Sequence, residues 1–296
     1  MRRSVNGFVR LTRFEEYVWF VLVTTFLGAA VARGVFGLPL LTVLVANWLA
    51  VGFAFMINDV EDAPDDALNP AKIGRNPVSA GHLSVGWARA LSFLAAGLAA
   101  VLYASLGFWP FVSGLACLGL AYLYSVRSIR LKAIPVADLV SHALMLAGLQ
   151  FLTGYLTFAD GLAWEGLFPV SFVMAISLYG QLFNQLRDLE GDRRAGVVHT
   201  ASLLGPRIAY LLMMTWFGVG VLSAGATVFV IRLIPTWVLL VMAGLGASML
   251  WRPLLRVGAG QSAIELQQSF QKPIEVAVAL GLAAWFAGPW GLSALH

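Results

Sequence analysis

Apolar residues in this chain run in long stretches. They do not follow the spaced stripe of a surface helix or the alternation of a half-buried strand. A helix needs about 20 mostly apolar residues to cross a bilayer. Nine stretches meet that length, at roughly 15–34, 36–57, 85–106, 108–125, 136–157, 166–186, 207–230, 233–250 and 273–291. Turn formers punctuate them: Gly34 and Gly37 between the first two, Gly107 with Pro110 between the third and fourth, and Pro235 and Pro273 at later starts. The pattern predicts an all-α polytopic membrane protein, with about nine helices around a central cavity.

Composition agrees. The chain has 296 residues, of which 59% are hydrophobic and 11% charged, against about 45–50% and 25% in soluble domains. One aqueous core cannot hide that much apolar surface. A disordered chain, a coiled coil, a disulfide scaffold and an ordinary cytosolic enzyme are excluded. The single cysteine, Cys117, rules out an internal disulfide and cysteine-based metal or redox chemistry, and reads as a packing residue.

Net charge is +4, but its placement says more. With the N-terminus in the cytoplasm, seventeen of the nineteen Lys and Arg residues fall on that side, and only Arg33 and Arg232 fall outside. The first apolar run is too long for a signal-peptide core and no small-residue cleavage site closes it, so it is expected to be retained. The expected location is the cell membrane, with the working face toward the cytoplasm.

Acidic residues are costly in a membrane protein unless they are wet or functional. Eight of the fifteen lie in two short clusters, NDVEDAPDD at 58–66 and NQLRDLEGD at 184–192. Four spans separate the clusters, so both belong to one face. Asn58, Asp62 and Asp66 are four apart, as are Asn184, Asp188 and Asp192. On a helix each set forms one stripe, rising about 6 Å per step. One acidic loop is ordinarily a solvated surface. The same pattern at two equivalent places points instead to an acidic pocket. Facing carboxylates stay ionised only with cations between them, and hard oxygen ligands select Mg²⁺ shared with substrate phosphates. The spacing is not that of a Ca²⁺ loop. Pro64 lies inside the first stripe and is expected to disturb the alignment of Asp66. The repeat suggests one domain over 1–296, with halves at about 1–130 and 131–250 and an added helix at 273–291.

Basic residues gather at the same face. Lys72 and Arg75 follow the first cluster, and Arg187, Arg193 and Arg194 surround the second. The loop YSVRSIRLKAIP at 124–135 carries Arg127, Arg130 and Lys132 and no acid. The positive-inside bias accounts for any one of them. Together with the acids they suit a diphosphate, bridged by Mg²⁺ and neutralised by Lys and Arg, with its organic group among the helices.

These residues resemble the UbiA superfamily of intramembrane prenyltransferases. Asn58, Asp59, Asp62 and Asp66 match its N-D-x-x-D-x-x-x-D motif, and Asp188 and Asp192 within RDLEGDRRAG match its D-x-x-x-D motif. Tyr124, Ser125, Arg130, Leu131, Lys132 and Pro135 are also similar to the family. The resemblance implies that Asn58, Asp62, Asp66, Asp188 and Asp192 form the metal-binding and catalytic set, holding two Mg²⁺ ions and an isoprenyl diphosphate. It implies ionisation to an allylic carbocation, attack on a lipophilic acceptor and loss of a proton. Asp59, Lys72, Arg75, Tyr124, Arg130, Lys132 and Asn184 are expected around the substrate. The implied partners are the diphosphate donor, the acceptor and the lipid bilayer, with no nucleic acid.

Members that prenylate aromatic acids usually carry an Arg seven residues before the motif Asn. Val51 stands there, which argues against such an acceptor. Polar residues within the spans are few: Asn47, Ser141, His142, Gln150 and Gln181. Asn47 lies three turns before Asn58 and is expected to line the acceptor side. His142 is either a proton acceptor or a hydrogen-bonded packing residue. The first acidic loop looks like that of the lycopene elongases of the superfamily, and an apolar polyene acceptor suits the sparsely polar interior. Two other readings stay open. A UbiA-like terpene cyclase shares the same metal residues. A transporter of anionic lipid is disfavoured, because transporters place ionisable groups near the midplane.

Overall fold

The computed structural model describes Gly7 and residues 9–68, 73–194, 196–256 and 263–288. Among them there is no strand. A short helical segment, Val9–Glu16, meets α1 (Val18–Val31) at a bend of 56°. Then follow α2 (Leu38–Asp66), α3 (Val85–Leu106), α4 (Phe108–Ser125), α5 (Ala137–Leu156), α6 (Leu167–Arg194), α7 (Pro206–Val230), α8 (Thr236–Arg256) and α9 (Ala263–Ala287). Seven of these helices are long and apolar enough to cross a membrane, or eight if the bent pair is one span. The expected ninth, α9, is not among them. It begins ten residues before Pro273, which lies inside it and does not start it. Two other expected spans, 36–57 and 166–186, are the apolar parts of longer helices: α2 and α6 run on to carry the acidic stripes.

Packing follows residue size. α1 crosses α5 where Gly28 and Gly154 let the backbones touch. A Cβ on Gly28 would stand 2.1 Å from the Phe151 carbonyl oxygen, and one on Gly154 would stand 2.4 Å from that of Thr25. In lipid there is no hydrophobic drive between helices, so such close approach does the holding. Gly154→Val is expected to cost at least about 2 kcal/mol, because the obstacle is backbone and cannot rotate away. Thermal unfolding in detergent checks this, and an unchanged Tm would mean that α1 and α5 separate freely.

Polar side chains join the same helices. Asn47 of α2 donates to Thr25 Oγ1 at 2.8 Å and to the Gln150 carbonyl at 3.1 Å. Its Oδ1 accepts from Tyr103 at 2.6 Å and Thr153 at 2.8 Å. One buried amide thus ties α1, α2, α3 and α5 together, and all its hydrogen-bonding groups are used.

Candidate active site

A cavity of about 700 Å³ opens between the Val9–Glu16 segment, α1, α2, α5, α6 and α9. Asn58 of α2 and Asn184 of α6 both line it. The leading residues of the two acidic stripes therefore face one space. α2 stays helical through Pro64 to Asp66, so Asn58, Asp62 and Asp66 keep their common face.

Cations already sit on the first stripe. Lys132 Nζ lies 2.8 Å from Asn58 Oδ1 and 2.6 Å from each Asp62 oxygen. Arg130 reaches Asp62 at 3.3 Å and Asp65 at 2.9 Å. Arg127 holds Asp65 at 2.9 Å and donates to the Glu61 carbonyl at 2.9 Å. The α4–α5 loop is thus stapled over the end of α2. Its backbone is bent to do so: Arg130 has φ 50° and Val136 φ 70°, a region that a β-branched residue seldom takes. Burial holds the Lys132 ammonium below its ordinary pKa, against the pull of Asp62 in the other direction.

The other predicted residues divide. Asp66 accepts from Asn76 at 2.9 Å, and Asn76 also donates to the Asp59 carbonyl at 2.8 Å, folding the α2–α3 loop back on the stripe. Asp188 pairs with Arg187 at 2.9 and 2.8 Å. Asp192 lies 3.4 Å from His199, which caps the short helix Thr200–Leu204. Tyr124 lines the cavity and accepts from Gln181 at 3.1 Å. Arg75 lines the mouth and pairs with Glu16 at 3.1 Å. Asp59 faces away from the stripe, 3.5 Å from Arg13. Asn47 is a correction: it is fully buried in the helix-joining network and does not border the cavity, because Tyr103 and Thr153 occupy the group that was to face it. Lys72 lies outside the described residues.

Sequence reasoning missed Arg13, Glu16, Gln271, Lys272 and Glu275, which also line the cavity. No local pattern marks them, since they come from the two ends of the chain.

Among the described residues no three His, Cys, Asp or Glu side chains gather closely enough to hold one ion. Mg²⁺ does not need such a cage. It takes one or two carboxylates, with waters and substrate phosphates completing its shell. The donors here are hard oxygens, and the Lys132 ammonium bound by Asn58 and Asp62 marks a place where positive charge is favourable. The residues fit the ion.

The model of the UbiA prenyltransferase family matches residues 21–266. This chain belongs to the UbiA prenyltransferase family. Such a prenyltransferase is an integral membrane enzyme, in agreement with the apolar helices. The bacteriochlorophyll synthase 33 kDa chain of Cereibacter sphaeroides is 28% identical over 263 residues, covering 85% of this chain and 84% of that protein. The lycopene elongase/hydratase of Haloarcula japonica is 32% identical over 170 residues, 55% of this chain and 54% of that protein. The fold matches a UbiA homologue from Archaeoglobus fulgidus solved with GPP and Mg²⁺, with TM-score 0.69, 19% identity, and 94% of this chain and 98% of that one covered.

Proposed function

We propose that this prenyltransferase moves an isoprenyl group from an allylic isoprenyl diphosphate to a lipophilic acceptor within the membrane, using Mg²⁺. The observation that carries the reading is the convergence of Asn58 and Asn184 on one cavity, with Lys132 and Arg130 poised on Asp62. Asn58, Asp62, Asp66, Asp188 and Asp192 are the residues proposed to hold Mg²⁺. When bound, the ion supplies Lewis-acid charge to the departing diphosphate. Lys132, Arg130 and Arg75 neutralise its remaining oxygens, with Tyr124 and Asn184 beside it, and stabilise charge as it develops. The apolar walls, among them Phe20, Val51, Ala54 and Leu146, keep water from the allylic cation.

The acceptor we propose is a carotenoid or another apolar lipid. Val51 puts an apolar wall on the cavity where an aromatic acid would need a cation, and a relative is named for lycopene elongation. The same reading sets one domain of two related halves in the cell membrane, with the cavity mouth toward the cytoplasm.

The test uses membranes containing the enzyme, Mg²⁺, labelled isoprenyl diphosphates of several lengths, and a panel of lycopene, a hydroxylated aromatic acid and an isoprenylglyceryl phosphate. Prenylated lipid and released diphosphate are expected in equal amounts, and both are lost on chelation. Lys132→Ala should raise the KM for the donor about tenfold or more, the worth of one charge-assisted hydrogen bond. Uptake of intact donor without release would overturn the reading. An unchanged KM and kcat in both Lys132→Ala and Arg130→Ala would remove the α4–α5 loop from the site.

A further inference from the structure

Prenyl transfer ends with loss of a proton, and three carboxylates of the two acidic stripes already have partners. Asp62 is held by Lys132 and Arg130, Asp66 by Asn76, and Asp188 by Arg187. Deeper in the same cavity the lining changes. His142 of α5, Ser177 and Gln181 of α6 and Tyr124 of α4 form a polar shelf among apolar walls. We propose that His142 is the general base of the reaction, and that Ser177 is the positioning residue that aims it. The proposal rests on the prenyl-transfer reading above.

Three observations carry it. His142 borders the cavity, and its one hydrogen-bond contact among the described residues is Nδ1 to Ser177 Oγ at 3.2 Å. With Nδ1–H donating to that hydroxyl, the Nε2 lone pair is left for a substrate. The bond persists when Nε2 takes a proton, because imidazolium donates from both nitrogens. A core histidine would have both nitrogens satisfied.

The position is also suitable. Ser177, Gln181, Asn184 and Asp188 sit at i, i+4, i+7 and i+11 of α6, on one stripe. Ser177 is therefore about 10 Å below Asn184 at 1.5 Å per residue. The Tyr124 ring centroid is 6.3 Å from that of His142, and the adjacent Ser125 reaches Asn58 Oδ1 at 3.4 Å. His142 thus lies below the diphosphate end, where the acceptor must lie to meet the allylic carbon.

Third, α5 is locally remodelled just past His142. Residues Leu144–Gly148 form a π turn, a feature often found at functional sites. Its Met145 carbonyl is met by Gln150 at 3.2 Å and Cys117 at 3.3 Å. The wider turn brings Met145 and Leu146 to the cavity beside His142.

The step balances. The donor's C1–O bond breaks and its electron pair leaves with diphosphate. An electron pair of the acceptor forms the new bond to C1. The proton displaced from the acceptor passes to Nε2 and then through the open cavity to water.

The test compares His142→Gln with wild type, using geranyl diphosphate labelled with ¹⁸O at the bridging oxygen and the panel acceptor that gives most product. Coupling should fall about 100-fold, the usual worth of a general base. Migration of the label to non-bridging positions should continue near the wild-type rate, because ionisation precedes proton removal. That migration also shows that the variant is folded and binds donor. Ser177→Ala should couple about tenfold more slowly with migration unchanged. Coupling by His142→Gln within about threefold of wild type would overturn the proposal, as would a parallel loss of migration. Wild-type enzyme that shows neither would instead overturn prenyl transfer itself.

Discussion

Asp62→Ala should lower prenyl transfer by about a thousandfold or more, and Asp188→Ala should do the same. A single electrostatic donor at a developing charge is worth about 10²–10³ in rate. Asp62 serves twice, as a proposed metal ligand and as the partner that places Lys132, whose ammonium lies 2.6 Å from both its oxygens. Its loss leaves a largely buried cation with only the Asn58 amide to hold it. Asp188 is the corresponding carboxylate of the second stripe, paired with Arg187. The Asp62 and Asp188 side chains are 20% and 42% exposed, so neither removal opens a sealed core and the folded protein should persist. Initial rates at limiting Mg²⁺, with thermal unfolding in detergent as the fold control, check this. Near-normal turnover by either variant would show that its stripe does not hold the metal.

Asp138→Ala should instead damage the fold, by about 3–5 kcal/mol. Asp138 is fully buried at the start of α5. It accepts from Leu139 N at 2.8 Å, Gln185 Nε2 at 2.6 Å, Thr200 N at 2.8 Å and the Thr200 hydroxyl. Gln185 in turn accepts from Ala201 N at 3.0 Å, and Val136 N donates to Thr200 Oγ1 at 2.7 Å. Each donor left unpaired in a buried place costs about 1–3 kcal/mol. One carboxylate therefore ties α5, α6 and the loop after α6 together, and with that loop the contact between His199 and Asp192. A fall in Tm of roughly 10 °C is expected for a chain this size, with loss of activity following. A Tm within about 2 °C of wild type would mean that water replaces all these bonds without cost.

Asp138 shows where sequence reading ran out. It is a lone acid at the edge of an apolar run, with no repeat to mark it. The two stripes were legible because spacing by four places side chains on one helical face whatever surrounds the helix. Asn47 shares that phase with Asn58, yet it serves the core and not the cavity. Phase gives the face, and the packing of neighbours decides what the face meets. The basic residues behaved likewise. Arg75 and Lys132 looked equivalent beside the acids, but Arg75 pairs with Glu16 and Lys132 with Asp62. Val136 in its strained conformation and its bond to Thr200 help to direct that loop.

The sequence by itself determined the membrane class, the all-helical architecture, the spacing of the two carboxylate stripes and the family. All of these follow from hydropathy over about 20 residues or from spacing within a few turns, which are local properties. Only the tertiary structure decided that the N-terminal segment and α9 close the cavity, that Asp59 turns to Arg13, and that Ser177 holds His142. Those partners lie 35 or more positions apart along the chain. They are brought together by close helix crossings such as that at Gly28 and Gly154, where backbone sterics and not local pattern select the neighbour.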